Sequence, residues 1–374
     1  MVSRQMLLGK RLLLVEDDYF LASELAQGLD QMGVDVVGPV PGVDEAFDAI
    51  RANEDVDAAI LAINLGGQMV FPIADELDRR SIPFIFATAF EPDIVPDRHA
   101  DKLVLRKPLE FSSIASALSS ALRPAPVAND EPARNAILRR LPSQQLNIIS
   151  SRLRSIHLPR GAVMEVQNQA VSRIYFPIDC VASLIAVGRD GARIETGLVG
   201  REGMTGIGVA IGDDHTPHEL INQIEGDALV MAAHDFKTAL ALAPDLGHLA
   251  ARFGRSLAVQ ISHTALANGR FGLRQKLARW LLMVQDRTHD QTISLTHDYL
   301  SIMLGVRRAS VTDVLHLLEG ERVVRAHRSS IEIRDRLGLI KIAGEIYGTP
   351  EAEYERLMGL PIPFDRSDVA ISAS

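Results

Sequence analysis

Along this chain the spacing of apolar residues changes character twice, and no single packed layer can satisfy all of it. Over the first 122 residues short apolar runs (RLLLVE, VDVVG, AAILAIN, PFIFAT, LVLRK) alternate with stretches of helical period such as YFLASELAQGLDQMG, VDEAFDAIRAN, FPIADELDRR and SSIASALSSAL. A run that is apolar at every position needs cover on both faces, and amphipathic helices supply it. The alternation therefore predicts a (βα)5, doubly wound parallel sheet over residues 9–122. At Arg123 the period stops, and RPAPVANDEPAR (123–134) reads as a linker. From 135 to 238 the texture is that of an antiparallel β-roll, with short alternating runs (RIYFP, VASLIAV, ARIETGLVG, DALVMAA) broken by Gly, Asp and Pro. Residues 239–268 predict a long helix, 269–345 the order helix, helix-turn-helix, hairpin of a winged helix, and 346–374 a partly frayed tail. The fold class expected is multidomain, α/β plus α+β.

Charge is divided as unevenly as the pattern. The whole chain carries −9, yet residues 1–122 hold 20 acidic against 10 basic side chains, whereas 269–345 hold 13 basic against 9 acidic. Such asymmetry points to nucleic acid at the C-terminal end. A single cysteine, Cys180, excludes an intramolecular disulfide, a four-cysteine zinc site and a cysteine-ligated iron-sulfur cluster within one chain. The apolar stretch near the start is too short for a secretory core, and no later window matches a membrane span, so a cytoplasmic protein without membrane contact is expected.

Phosphoryl acceptance on a carboxylate needs an aspartate at a strand end, neighbouring carboxylates for magnesium, a hydroxyl and a lysine. Glu16 and Asp17 close the first apolar run, Thr88 closes PFIFAT, and Lys107 precedes Pro108. With VED, IFAT and RKP as its motifs, residues 9–122 resemble response-regulator receiver domains. That resemblance assigns the phospho-acceptor position to Ala62, whose methyl group cannot attack phosphorus, and Val104 to a position where receivers often carry an aromatic. Two origins fit Ala62: a natural pseudo-receiver used for docking or dimerisation, or a working receiver whose aspartate was replaced. Glu16 and Asp17 alone would hold Mg2+ only weakly.

Residues 138–345 resemble the Crp/Fnr superfamily of transcription regulators. In its cyclic-nucleotide-binding members a Gly-Glu turn and a later Arg-Ser-Ala run present donors to the ligand. GREGMTGIG supplies Gly200, Glu202 and Gly203, but the later segment has His218 and Glu219 in place of the arginine and serine. A carboxylate there repels phosphate, so cyclic nucleotide is disfavoured. Cys180, His215 and His218 match no haem or metal spacing, and no cofactor is expected.

A helix that enters the major groove needs a partner helix, a Gly turn, and basic and hydroxyl side chains in its first turn. THDYLSIMLGVRRASVTDVLHLLE has Gly305 at the turn, an apolar face from Leu300, Leu304, Val306, Val311, Leu315 and Leu318, and Arg307, Arg308, Ser310 and Thr312 at the front of the second helix. Its likeness to the Crp/Fnr recognition helix implies that Arg308 reads a base, guanine O6 and N7 being the bidentate match. Arg307 and Ser310 then meet phosphate, and Asp313 stands where some relatives carry a second arginine. Thr296 is an N-cap or a phosphate contact, and Arg325, His327 and Arg328 lie at the hairpin tip. The stripe Leu246, Leu249, Phe253, Leu257, Ile261 and Thr264 suggests the seam of a homodimer, with burial on the same chain as the alternative. The sequence thus reads as a non-enzymatic, DNA-binding regulator acting on an inverted repeat. Its receiver-like end is available to a histidine kinase, a partner regulator or RNA polymerase. A signalling adaptor and a small-ligand-gated regulator are the alternatives.

Overall fold

The structure, a computed structural model, describes residues 7–53, 55–80, 82–89, 94–99, 102–122, 131–288, 291–295, 297–327 and 330–362. In the N-terminal part, strands β1 (Arg11–Val15), β2 (Asp35–Val40), β3 (Ala58–Ala62), β4 (Phe84–Thr88) and β5 (Val104–Arg106) form one parallel sheet in the order β2-β1-β3-β4-β5. β3 and β4 are buried at every position, as their unbroken apolar runs require. The covering helices are α1 (Tyr19–Asp30), α2 (Val43–Ala52), α3 (Phe71–Arg79) and α4 (Phe111–Leu122). The expected helix between β4 and β5 is missing among the described residues, which show only a 3-10 turn at Asp97–His99. That turn is pinned instead of helical: His99, 2% exposed, reaches Asp75 and Asp78 on α3 at 2.9 and 3.0 Å.

The second part opens with two single helical turns, Glu131–Arg134, inside the stretch expected as linker, and Ala136–Arg139, followed by α5 (Ser143–Ser150), and holds two antiparallel sheets. β6 (Arg154–Leu158), β8 (Arg173–Pro177) and β12 (Gly226–Ala232) form one in the order β8-β12-β6. β7 (Val163–Glu165), β9 (Val181–Val187), β10 (Arg193–Val199) and β11 (Glu219–Ile224) form the other in the order β10-β9-β11-β7. Then come α6 (Ala233–Leu242) and α7 (Pro244–Arg270), separated at Ala243, with Pro244 at the first position of α7 where its missing N–H costs nothing.

The stripe expected to face a partner subunit faces this chain's own core. Leu246, Leu249, Phe253 and Leu257 are all buried, and Gln260 clamps α7 to β10 by accepting from Leu198 N (2.6 Å) and donating to Leu198 O (3.3 Å). Ile261 is half-buried, and Thr264 donates to Gln260 O at 3.0 Å. The approach is close enough that a methyl group at Gly203 would fall 1.9 Å from the Phe253 ring, so only glycine fits there. A 27-residue helix, about 40 Å long, does outrun a small roll. The extra cover comes from residues read as a tail: α12 (Thr349–Met358) packs along α7, with Tyr354 1% exposed and its hydroxyl donating to Glu202 O at 2.8 Å. Both corrections therefore have one cause.

The third part contains α8 (Leu273–Gln285), β13 (Thr292–Ser294), α9 (His297–Met303), α10 (Arg308–Gly320), the hairpin β14 (Val324–Ala326) and β15 (Ser330–Ile333), and α11 (Arg336–Ala343). β13 adds to the hairpin, giving the order β13-β15-β14. Ionic and aromatic contacts tie the parts together. Arg160 on the roll holds Glu110 at 2.9 Å, donates to Ser294 O at 2.9 Å and lies over the Tyr299 ring at 5.9 Å. Arg287 after α8 is buried against Glu202 of the roll at 2.7 Å. No helix among the described residues is long and apolar enough to cross a membrane.

Candidate nucleic-acid interface

Gly305 has φ +62, a left-handed conformation that strains any residue with a Cβ, and it lets the chain reverse between α9 and α10. Arg307 is extended at the N-cap, and α10 starts with Arg308. Val311, Leu315 and Leu318 are buried in one cluster with Leu277, Leu281 and Ile331, so the helix is held rigidly by its inner face. The outer face is open: Arg307, Arg308, Ala309, Asp313, His316 and Leu317 are exposed, Leu317 by 57%. Two guanidinium groups thus stand at the N-cap and the first residue of a helix whose positive dipole end adds to their field. Ser310 and Thr312 are half-buried, and the Thr312 hydroxyl donates to Arg308 O at 3.2 Å, so part of the expected hydroxyl set is satisfied within the helix. His316 and Leu317 escaped the sequence reading, although their spacing from Arg308, Ala309 and Asp313 puts them on that same face.

On the hairpin Arg325 is exposed and stands directly opposite Glu332, which also holds Arg334 at 2.8 Å and lies 4.0 Å from His327. The carboxylate holds Arg334 and lies among the other basic wing residues, offsetting part of their charge. Thr296 and Arg328 lie outside the described residues.

In the N-terminal part the receiver-like residues come together at the strand ends. Lys107 donates to both carboxylate oxygens of Glu16 at 2.7 and 2.6 Å, and its backbone N–H donates to Thr88 O at 2.7 Å. Asp17 is exposed and accepts from Gly66 N at 2.8 Å, while Asp18 caps α1. Ala62 is 2% exposed at the end of β3. With Glu16 neutralised by lysine and no carboxylate at 62, the expected weak pair does not fit Mg2+, which needs several oxygen ligands.

The roll contains a smaller cavity of about 240 Å³ whose lining includes Glu165, Thr205, Gly206, His218, Leu257 and Ile261. Burial pushes the Glu165 carboxyl up and the His218 imidazole down, against the N–H of Gly206, which donates to Glu165 at 2.7 Å. No lysine or arginine is among the described residues lining it. Glu219, expected to face this ligand site, points away: it is 1% exposed and paired with Arg106 of the N-terminal part and Arg193 of the roll. Glu202 is likewise structural, taken by Arg287 and by Gly200 N, whereas Gly200 and Gly203 serve the turn and the Phe253 contact. Cys180 is fully buried, its thiol pushed up by desolvation, and His215 lies exposed beside Asp214 at 2.9 Å.

No curated protein matches the chain in sequence. Among solved structures the chain is similar to a CRP-family transcriptional regulator from Thermus thermophilus, at 16% identity and TM-score 0.43, over 50% of this chain and 96% of that one. FixK2 from Bradyrhizobium japonicum gives 12% identity and TM-score 0.44 over 51% and 96%. The c-di-GMP-responsive regulator CLP of Xanthomonas campestris gives 14% and 0.41 over 51% and 99%. Likenesses this distant carry no argument by themselves. The segment that includes α9, Gly305 and α10 is similar, over residues 275–342, to the Crp-like helix-turn-helix domain, whose family model matches it.

Proposed function

We propose that the chain is a DNA-binding transcription regulator of the Crp/Fnr type, acting on an inverted repeat as a homodimer and governed through its N-terminal receiver-like domain. The observation that carries this reading is the exposed pair Arg307 and Arg308 at the front of a helix whose other face is locked in a core. Arg308 reads a base edge, Arg307 and Ser310 meet phosphate, and Thr312 supports the helix front. Arg325 meets the backbone from the wing, with Thr296 and Arg328 assigned to the same surface by their sequence positions. The inner stripe of α7 being occupied, the dimer forms through the opposite face, where Ala251, Ala258, Ser262 and Ala265 are exposed at spacings of three, four and seven and permit close helix approach. Two recognition helices then sit about 34 Å apart, one turn of DNA.

The receiver-like domain acts by docking rather than by phosphorylation, because Ala62 removes the nucleophile and Lys107 already neutralises Glu16. Fluorescence anisotropy on footprinted genomic fragments tests the whole reading. A specific complex is expected on inverted repeats, with affinity falling steeply between low and moderate salt. Equal binding to random duplex at every salt concentration refutes sequence-specific regulation.

A further inference from the structure

The face of α10 that the regulator reading turns toward DNA carries a negative charge. Val311, Leu315 and Leu318, all buried in the core, set the inward direction of the helix. At about 100° of rotation per residue, Asp313 points within about 15° of the opposite direction, whereas Arg308 stands at the flank. Its side chain is exposed. The positions three and four away on either side hold Ala309, Ser310, His316 and Leu317, so no lysine or arginine lies at the spacing that pairs charges along a helix. Among the described residues the Asp313 carboxylate has no hydrogen-bond or ion-pair partner.

Other carboxylates of the winged helix are used within the fold. Glu319 accepts from Ala326 N at 2.7 Å, Glu321 holds Arg274 at 2.5 Å, Glu332 holds Arg334 at 2.8 Å, and Asp335 caps α11 by accepting from Gly338 N at 2.9 Å. Asp313 has no such task. On a surface that meets a polyanion, an unpaired carboxylate weakens the complex unless it finds a donor. The major groove offers two, the amino groups on cytosine N4 and adenine N6. Adenine places its N7 acceptor beside N6, where it repels the second carboxylate oxygen; cytosine carries only a carbon-bound hydrogen on that side.

We infer that Asp313 determines the base preference of α10 by accepting a hydrogen bond from a cytosine N4 amino group, at a base pair other than the one Arg308 reads. The two residues lie five positions apart, about 7.5 Å along the helix axis, or roughly two base-pair steps of 3.4 Å. Ala309, one turn before Asp313, is a methyl group that leaves the carboxylate room to reach the base edge. This assignment rests on the regulator reading and adds to it the identity of a second recognised base.

Fluorescence anisotropy of the full chain at one fixed salt concentration tests it, on the footprinted inverted repeat with each base pair of both half-sites replaced in turn by the other three. The parent is expected to prefer cytosine at one position, where each replacement weakens binding about tenfold, and Arg308→Ala should leave that preference in place. Asp313→Ala, at an exposed helical position that favours alanine, should keep Tm and reduce the preference to within about twofold, while discrimination at other positions stands. Asp313→Asn should move the preference at that position to adenine, whose N6 and N7 match an amide bidentately. A cytosine preference retained in Asp313→Ala overturns the assignment. So does a uniform gain in affinity on every duplex, which makes Asp313 a repelling charge without a base of its own. A parent without preference at any position overturns the regulator reading and the assignment together, whereas a parent whose preferences are all indifferent to Asp313 overturns the assignment alone.

Discussion

The strand-end pocket of the N-terminal part and the front of α10 both gather charged side chains at the tip of a secondary-structure element, yet they use them oppositely. In the pocket Lys107 and Glu16 satisfy each other at 2.6–2.7 Å, with Glu16 only 3% exposed. On α10, Arg307 and Arg308 project into solvent from a helix anchored on its far side. A charge buried against its counter-charge contributes to stability and is lost to recognition; a charge kept at the surface stays within reach of a partner. The difference is one of tertiary placement, because both groups stand out equally in the sequence.

The largest effect that tests this contrast is on the inward pair. Lys107→Ala should destabilise the chain by about 3–5 kcal/mol by stranding a buried carboxylate, read as a lowered urea midpoint. A midpoint within error of the parent breaks the contrast. Next comes Arg308→Ala, expected to leave the midpoint within about 0.5 kcal/mol and to cost about 1–3 kcal/mol on the specific duplex, with little change on random DNA. Equal loss on both duplexes makes Arg308 a phosphate contact.

Glu195 sharpens the comparison from between these extremes. It is buried between the roll and α8, accepts from Trp280 Nε1 at 2.8 Å and is bonded by the Ser183 hydroxyl. Burial pushes its carboxyl up to about 7, in spite of those hydrogen bonds and of Arg279 and Arg287. Since the folded value lies above the ordinary one, the stability it contributes is fully present below about pH 4.5 and is lost as pH rises through about 7. The single tryptophan should report this as a fluorescence transition centred near pH 7, and Glu195→Gln should remove the transition. A transition that survives in the variant assigns it to another group. The smallest effect is none at all: acetyl phosphate with Mg2+ should leave the intact mass unchanged, and a phosphoryl adduct on any carboxylate would contradict the docking role given to the receiver-like domain.

Much of the architecture was legible. Runs such as AAILA and FIFAT are apolar at every position and admit only strands covered on both faces, and Gly305 between two helical patterns forces the turn it makes. The front of α10 could be read because helical period alone decides which residues share a face. The inner stripe of α7 was equally clear, but its partner was not: Leu246 through Leu257 need an apolar surface, and nothing in their spacing says whether it belongs to a second chain, to the roll or to α12. α12 itself was missed because TPEAEYERLM carries few apolar residues, and its burial rests on Pro350, Tyr354 and Met358.

Local pattern therefore determined most of the segments that become strands and helices, the reversal at Gly305, and that basic groups open α10, since each of these depends on neighbours within a few residues. The tertiary structure alone decided the partners of the polar groups: Glu219 meets Arg106 across 113 positions of sequence, Arg287 meets Glu202 across 85, and the buried amide oxygen of Gln223 is left without a hydrogen-bond partner. Electrostatic and hydrogen-bond energies depend on distance in space and on exclusion of water, and neither quantity exists until the chain has folded.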